Sequence, residues 1–136
     1  MVSRRMSKRA SIEIAGIRHD NPIPSGSKIG RLVATGTIFG KDPATGGKFV
    51  EGAEAQVDMM FANIRRTIEA AGGTPENILK LEVWVKEAAT RKIVNQHWLV
   101  MFPDEHSRPA RHTSIDPGLS GAALVQCSFF AVLDSE

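Results

Sequence analysis

The sequence contains no tyrosine and only one cysteine, Cys127. A single cysteine excludes an internal disulfide, and a lone thiol in an apolar segment suits a reducing compartment. The apolar runs are too short to span a membrane, and the charged N-terminal segment lacks the apolar core of a secretory signal peptide. We therefore expect a cytoplasmic protein that does not associate with membranes.

The first ten residues contain no acid but four bases, Arg4, Arg5, Lys8 and Arg9. Without them, 13 basic residues stand against 15 acidic ones, so the rest of the chain carries a net charge of −2. We predict a basic flexible tail over residues 1–10 and a single domain over residues 11–136. An acidic body with a short basic tail argues against nucleic-acid binding.

Motifs of nucleophilic, phosphate-binding and metal sites are also missing. There is no Gly-x-Ser-x-Gly segment, and "ATGG" lacks the Lys-Ser/Thr of a phosphate-binding loop. Cys127 has no adjacent base, so we interpret it as a buried structural thiol. The four histidines do not have the pair spacing of a zinc site; they are His19, His97, His106 and His112. The sequence predicts neither a metal nor a cofactor.

Patterns of apolar residues predict an α+β fold, with two helices on one face of a mixed sheet. The helices are predicted from Ala53 to Ala71, and from Thr90, as the capping residue, to a stop at Pro103. The loops are predicted in "RHDNPIPSGSKIG" and "KDPATGGKFVEG", which are rich in turn residues. The predicted strands are "SIEIAGI", "RLVATGTIFG", "NILKLEVWVK", "ARHTSI" and the segment from Ala122 to Leu133.

The final strand is apolar on both faces. Leu124, Phe130 and Val132 point one way, and Val125, Cys127, Phe129 and Leu133 point the other. With helices on one side only, the second apolar face needs either a loop or another subunit to cover it, and we favour a homo-oligomer. Gly36 lies inside a predicted strand, which indicates close approach by a ligand or another chain.

The segment "SRPARHTSID" places two arginines just before the most apolar run of the chain. Pro109 favours an extended conformation at Arg108, which we interpret as a surface or interface residue. Strand alternation puts Arg111 and Thr113 on one face and His112 on the other.

A guanidinium at the start of a strand has two possible partners. Because it binds a carboxylate in a bidentate fashion, Arg111 is a candidate anchor for a small carboxylate-bearing ligand, with Thr113 beside it. Equally, Arg111 can pair with an acid of its own chain, such as Asp116 or Glu82. The pattern alone does not decide between them.

These segments resemble the RidA family, also called YjgF or endoribonuclease L-PSP, from about Asn21 to Leu133. The resemblance implies a chorismate-mutase-like fold, a homotrimer, and clefts between adjacent subunits that bind small carboxylate-bearing molecules. It also implies hydrolysis of 2-imino acids to 2-oxo acids and ammonia, without a cofactor or metal. The matching segments are "RLVATGTI", "ANIRRTIEAAGGTPENILKLEVWVK", "VNQHWLVMF", "RPARHT" and the last strand.

The same resemblance implies roles for individual residues. Arg111 holds the substrate carboxylate, and Thr113, often Cys in the family, lines the same site. Thr35, Gly36 and Thr37 match a segment of the pocket wall, and Asn95 matches an Asn of the second helix.

Two parts of the family pattern are absent. Gln126 and Ser128 occupy the places where active deaminases of the family carry a Glu-x-Glu pattern, and no Tyr stands near Pro22 to Pro24. The catalytic residue is therefore unknown. The sequence leaves three readings: an imine deaminase or a relative that acts on another nitrogenous carboxylate, a non-catalytic sensor that uses the same cleft, and a ribonuclease or translation inhibitor.

Overall fold

The computed structural model describes residues 8–136. Residues 1–7, with Arg4 and Arg5 of the predicted tail, lie outside this description. The described elements are β1 (Arg9–Ile12), β2 (Gly26–Ile29), β3 (Leu32–Thr35), β4 (Ile38–Phe39), β5 (Lys41–Asp42), β6 (Lys48–Phe49), α1 (Ala53–Ala70), β7 (Ile78–Val85), α2 (Thr90–Met101), β8 (Ala110–Ile115) and β9 (Val125–Val132). Single 3₁₀ turns lie at Pro43–Thr45 and Pro75–Asn77.

Seven of the described strands form the main sheet, in the order β1-β2-β3-β9-β7-β8, and β4 also pairs with β9. Neighbouring strands are antiparallel except β7 and β8, which are parallel. A parallel pair needs a long crossover connection, and α2 supplies it. Strands β5 and β6 form a separate hairpin. The mixed sheet with two helices confirms the predicted α+β class.

The core lies between the sheet and the helices. Helix α1 buries an apolar stripe, which consists of Val57, Met60, Phe61, Ile64 and Ile68. It packs against alternate residues of the central strands, such as Leu81 of β7 and Phe129 of β9. Burial of each such side chain contributes about 1.5–3 kcal/mol to the stability of the folded state. Neither α1 nor α2, the helices of residues 8–136, is long and apolar enough to cross a membrane.

The strand predictions are wrong in several places near the N-terminus. Strand β2 lies inside a predicted loop, because it is held by pairing with β1 and β3 and has little strand propensity of its own. A predicted loop also contains the β5–β6 hairpin. The strand predicted across Gly36 is interrupted there and splits into β3 and β4. Strand β1 begins at Arg9, so Arg9 and Ala10 belong to the sheet and not to the tail.

Three element ends also differ from the predictions. Thr90 does not cap α2; Ala89 is the N-cap residue and no side chain caps the helix, while Thr90 is buried in the first turn. Strand β9 begins at Val125 and not at Ala122. Helix α2 ends at Met101, two residues before Pro103.

Gly40 is one of the described glycines that packing within the chain requires. A Cβ at residue 40 would lie 2.5 Å from the carbonyl oxygen of Gln56 and 2.7 Å from its Cα, whereas a Cβ at Gly36 would meet nothing closer than Pro24 O at 3.6 Å. The Gln56 side chain is itself fixed, since it donates to Val50 O and Ala122 O and accepts from the N–H of Leu124. Packing within the chain therefore does not explain Gly36.

Gly40→Ala is expected to lower the free energy of unfolding by about 1–3 kcal/mol or more, because the backbone of α1 must move to admit the methyl group. Chemical denaturation measures the change. Gly118→Ala is the matched control: its Cβ would meet only the Asp116 side chain, at 3.2 Å. Equal losses in the two variants would contradict the steric explanation.

Candidate functional site

Arg111 and Thr113 lie on β8, the edge strand of the main sheet. They pair in register with Leu81 and Val83, which are buried, and so share the face of the sheet that carries the helices. Helix α2 crosses this face and brings Asn95 next to Arg111. The predicted alternation is confirmed for this strand, because His112 lies opposite Glu82 on the outer face, the side away from the helices.

The Arg111 guanidinium is held from two sides. Its Nη2 donates to Asn95 Oδ1 at 2.6 Å, and its Cζ lies 4.8 Å from the centroid of the Trp98 ring. Asn95 and Trp98 are three residues apart on α2, which places them on one side of the helix. Trp98 is not among the site residues predicted from the sequence, although its spacing from Asn95 is one that the sequence shows.

Two polar atoms of the site have no partner. Arg111 Nη1 and Thr113 Oγ1 are buried without a hydrogen bond within residues 8–136. Partial burial lowers the pKa of Arg111 through desolvation. The guanidinium stays charged at neutral pH because its ordinary pKa is so high. The site therefore presents a positive charge with a free donor, which suits an anion.

Arg111 does not pair with an acid in the described part of its own chain. No ion pair joins Arg111 to any carboxylate within residues 8–136. Glu82 lies on the opposite face and is 3.9 Å from Lys80 Nζ, while Asp116 accepts from the N–H of Gly118. The interpretation of Arg111 as an internal ion-pair partner is therefore wrong for the described chain.

The predicted pocket-wall residues lie elsewhere. Thr35 Oγ1 accepts from the N–H of Phe129 at 2.9 Å, and the N–H of Gly36 donates to Ser25 O at 3.0 Å. Thr37 lines a separate small cavity of about 30 Å³. Strands β9 and β7 lie between this segment and β8, a separation of about 14 Å for three strand spacings. One chain brings Asn95 and Thr113 to Arg111, but not residues 35–37.

The positions that replace the family carboxylates lie on the outer face. Gln126 pairs in register with Trp84, and Ser128 pairs with Glu82. Both are therefore separated from Arg111 by the sheet of their own chain.

The remaining candidates have structural roles. Arg108 donates from Nε to Phe102 O at 2.8 Å and from Nη2 to Pro103 O at 3.3 Å, so it binds carbonyls just past the end of α2. Cys127 is buried, and burial raises the pKa of its thiol, which keeps it from acting as a nucleophile. Within residues 8–136, no three His, Cys, Asp or Glu side chains come together as metal ligands.

The sequence profile of the family described as Endoribonuclease L-PSP matches residues 22–132. The chain belongs to the endoribonuclease L-PSP family. This family includes proteins named RidA and YjgF. A curated relative, a RutC family protein of Aquifex aeolicus, is 33% identical over 97 residues, which cover 68% of this chain and 77% of that protein.

Solved structures share the L-PSP fold. A "probable translation initiation inhibitor" from Rhodopseudomonas palustris has a TM-score of 0.85 at 27% identity, covering 93% of this chain and 99% of the other. RidA from an Antarctic Psychrobacter species has a TM-score of 0.81 at 22% identity, covering 94% and 100%. At that lower identity the likeness shows the fold alone.

Thr113→Val is expected to raise the free energy of unfolding by about 1 kcal/mol, because it replaces a buried hydroxyl without a partner by an isosteric methyl. Thr67→Val is the matched control. It removes a hydroxyl that donates to Asn63 O at 2.7 Å and is expected to destabilise the protein. Chemical denaturation compares the two, and a loss of stability in Thr113→Val would show that its hydroxyl is satisfied in the folded protein.

Proposed function

We propose that this L-PSP family protein is a RidA-like enamine/imine deaminase. It hydrolyses reactive 2-imino acids, or a related small nitrogenous carboxylate, to a 2-oxo acid and ammonia. The observation that carries the proposal is the Arg111 guanidinium, which is buried on one side and has no carboxylate partner within residues 8–136. The carboxylate of a ligand supplies the negative charge that Arg111 lacks nearby, and it accepts a hydrogen bond from Arg111 Nη1.

The neighbours of Arg111 support a small, rigidly held ligand. Asn95 and Trp98 fix the plane of the guanidinium, so a carboxylate bound to it has one preferred orientation. The Thr113 hydroxyl can donate to a second ligand atom. Imine hydrolysis is redox-neutral: the solvent supplies the water, and side chains can supply orientation and proton transfer.

We further propose that the site is completed in a homotrimer. The outer face of the sheet exposes large apolar side chains around a groove of about 420 Å³, notably Leu32, Leu79 and Phe130. An exposed apolar patch of this kind marks an interaction surface. In such a trimer, residues 35–37 of a neighbouring subunit would complete the site at the edge strand that carries Arg111. The buried thiol of Cys127 is consistent with the cytoplasm as the proposed compartment.

Arg111→Ala is expected to abolish most of the ammonia release from freshly generated 2-iminopropanoate. It is also expected to weaken 2-oxo acid binding by about 10- to 100-fold, the value of a charged hydrogen-bonded contact. A coupled ammonia assay and titration calorimetry measure the two effects. Arg91→Ala, at an exposed position of α2, is the control and should behave as the wild type.

Wild-type ammonia release equal to the buffer blank would contradict the deaminase. A second function, a non-catalytic sensor of small carboxylates, is favoured by the neutral side chains of Gln126 and Ser128. The sensor predicts binding that depends on Arg111 but no turnover, so calorimetry and the ammonia assay together distinguish the two functions.

Phe130→Glu is expected to convert the oligomer into monomers, because it places a charge in the exposed apolar face of the sheet. Light scattering after size exclusion measures the mass. Val100→Glu is the control, since Val100 is 82% exposed on α2, in the helical layer on the other side of the sheet. An unchanged mass in Phe130→Glu would remove the support for this face as the interface.

A further inference from the structure

Glu82 is unusual in its position. Among the described strands of the main sheet, it is the only acidic residue. Its side chain is 35% exposed in the isolated chain and lies on the outer face, which the proposed trimer covers. A carboxylate on a surface that becomes buried is costly unless it meets a partner.

Register pairing places polar groups on both sides of Glu82. Ser128 of β9 is its direct partner on one side and His112 of β8 on the other. Side chains directly opposite one another on neighbouring strands approach to about 5 Å at their Cβ atoms. Lys80 Nζ, at 3.9 Å, is the one ion-pair contact of Glu82 within residues 8–136. The row Ser128–Glu82–His112 therefore holds a carboxylate between a hydroxyl and an imidazole.

The order of this row limits its chemistry. A hydroxyl nucleophile is activated by a base beside it that a third group orients. Here the carboxylate occupies the centre, and His112 does not lie next to Ser128. With the acid in the middle, the row suits a base that holds and deprotonates a water molecule better than it suits a nucleophilic triad.

Glu82 and Arg111 lie on opposite faces of the sheet of one chain, so they cannot touch the same small ligand within that chain. Arg111 is on the edge strand, which is open to a neighbouring molecule. Glu82 is on the face that the proposed trimer covers. A ligand that contacts both groups must therefore lie between two subunits.

We infer that Glu82 of one subunit is the general base that adds water to an imine whose carboxylate is bound by Arg111 of the adjacent subunit. This inference rests on the proposed function. Water oxygen bonds to the iminium carbon, the C=N π pair moves to nitrogen, and one water proton passes to the Glu82 carboxylate. Glu82 then protonates the amine nitrogen, the C–N bond breaks as C=O forms, and the hydroxyl proton leaves with ammonia as ammonium.

Glu82→Gln tests the base directly, because the amide keeps the size of the side chain and cannot accept the proton. The expected result is a kcat about 10²–10⁴-fold below that of the wild type. Binding of a 2-oxo acid, measured by calorimetry, should persist because Arg111 is intact. Glu69→Gln, on the exposed side of α1, is the matched control and should keep wild-type kcat.

Mixing variants tests whether the two groups come from different subunits. Arg111→Ala and Glu82→Gln chains, inactive alone, are refolded together at equal concentrations. In a cyclic trimer, every mixed molecule has one cleft that keeps both groups, so about a quarter of wild-type activity should return. If Arg111 and Glu82 acted within the same chain, no activity would return.

The outcomes separate the inference from the proposed function. An active wild type with an equally active Glu82→Gln overturns the inference and leaves the deaminase standing. A Glu82→Gln variant that dissociates into monomers, seen by light scattering, shows an interface ion-pair role and also overturns the inference. A wild type that releases no ammonia overturns the deaminase, and the inference with it. A loss of kcat in Glu82→Gln with intact ligand binding, followed by a return of activity on mixing with Arg111→Ala, supports both the inference and the deaminase function.

Discussion

A seven-stranded sheet with helices on only one face is the constraint on which the rest of the structure depends. The helices cover the inner face, while the outer face leaves Leu32, Leu79 and Phe130 in contact with solvent. This one-sided layering separates Arg111 from Glu82, and the width of the sheet separates it from residues 35–37. Completion of the proposed site by Glu82 and residues 35–37 therefore needs a second chain, and the uncovered outer face is the surface that we propose for association.

The second constraint is electrostatic. Arg111 is partly desolvated by α2, and desolvation of a charge is costly unless polar groups replace water. Asn95 and Trp98 replace part of the lost water around the guanidinium. Arg111 Nη1 and the Thr113 hydroxyl, however, stay without a hydrogen-bond partner within residues 8–136. An unsatisfied buried polar group raises the free energy of the unbound protein. A ligand that forms hydrogen bonds with such groups removes this cost and therefore binds more tightly.

Much of the fold could be predicted from the sequence. The apolar stripe of α1 and the alternation along β7, β8 and β9 are periodic over enough residues to identify helix and strand. Strand β2 was missed because it has four residues, begins with glycine, and is stable only through its partners. Gly40 was missed because its requirement comes from Gln56, a residue of the following helix that only folding brings against it.

The sequence by itself determined the chemical content of the site: an arginine and a threonine two residues apart on a strand, and a chain without tyrosine or a carboxylate at positions 126 and 128. Alternation also determined that Arg111 and His112 point to opposite faces, since the period of a strand is two. Only the tertiary structure decided which partners these residues meet. Pairing across β9, β7 and β8 placed Glu82 between Ser128 and His112, because strand register joins residues that are far apart in the chain. The same folding left Arg111 without an ion-pair partner among the described residues.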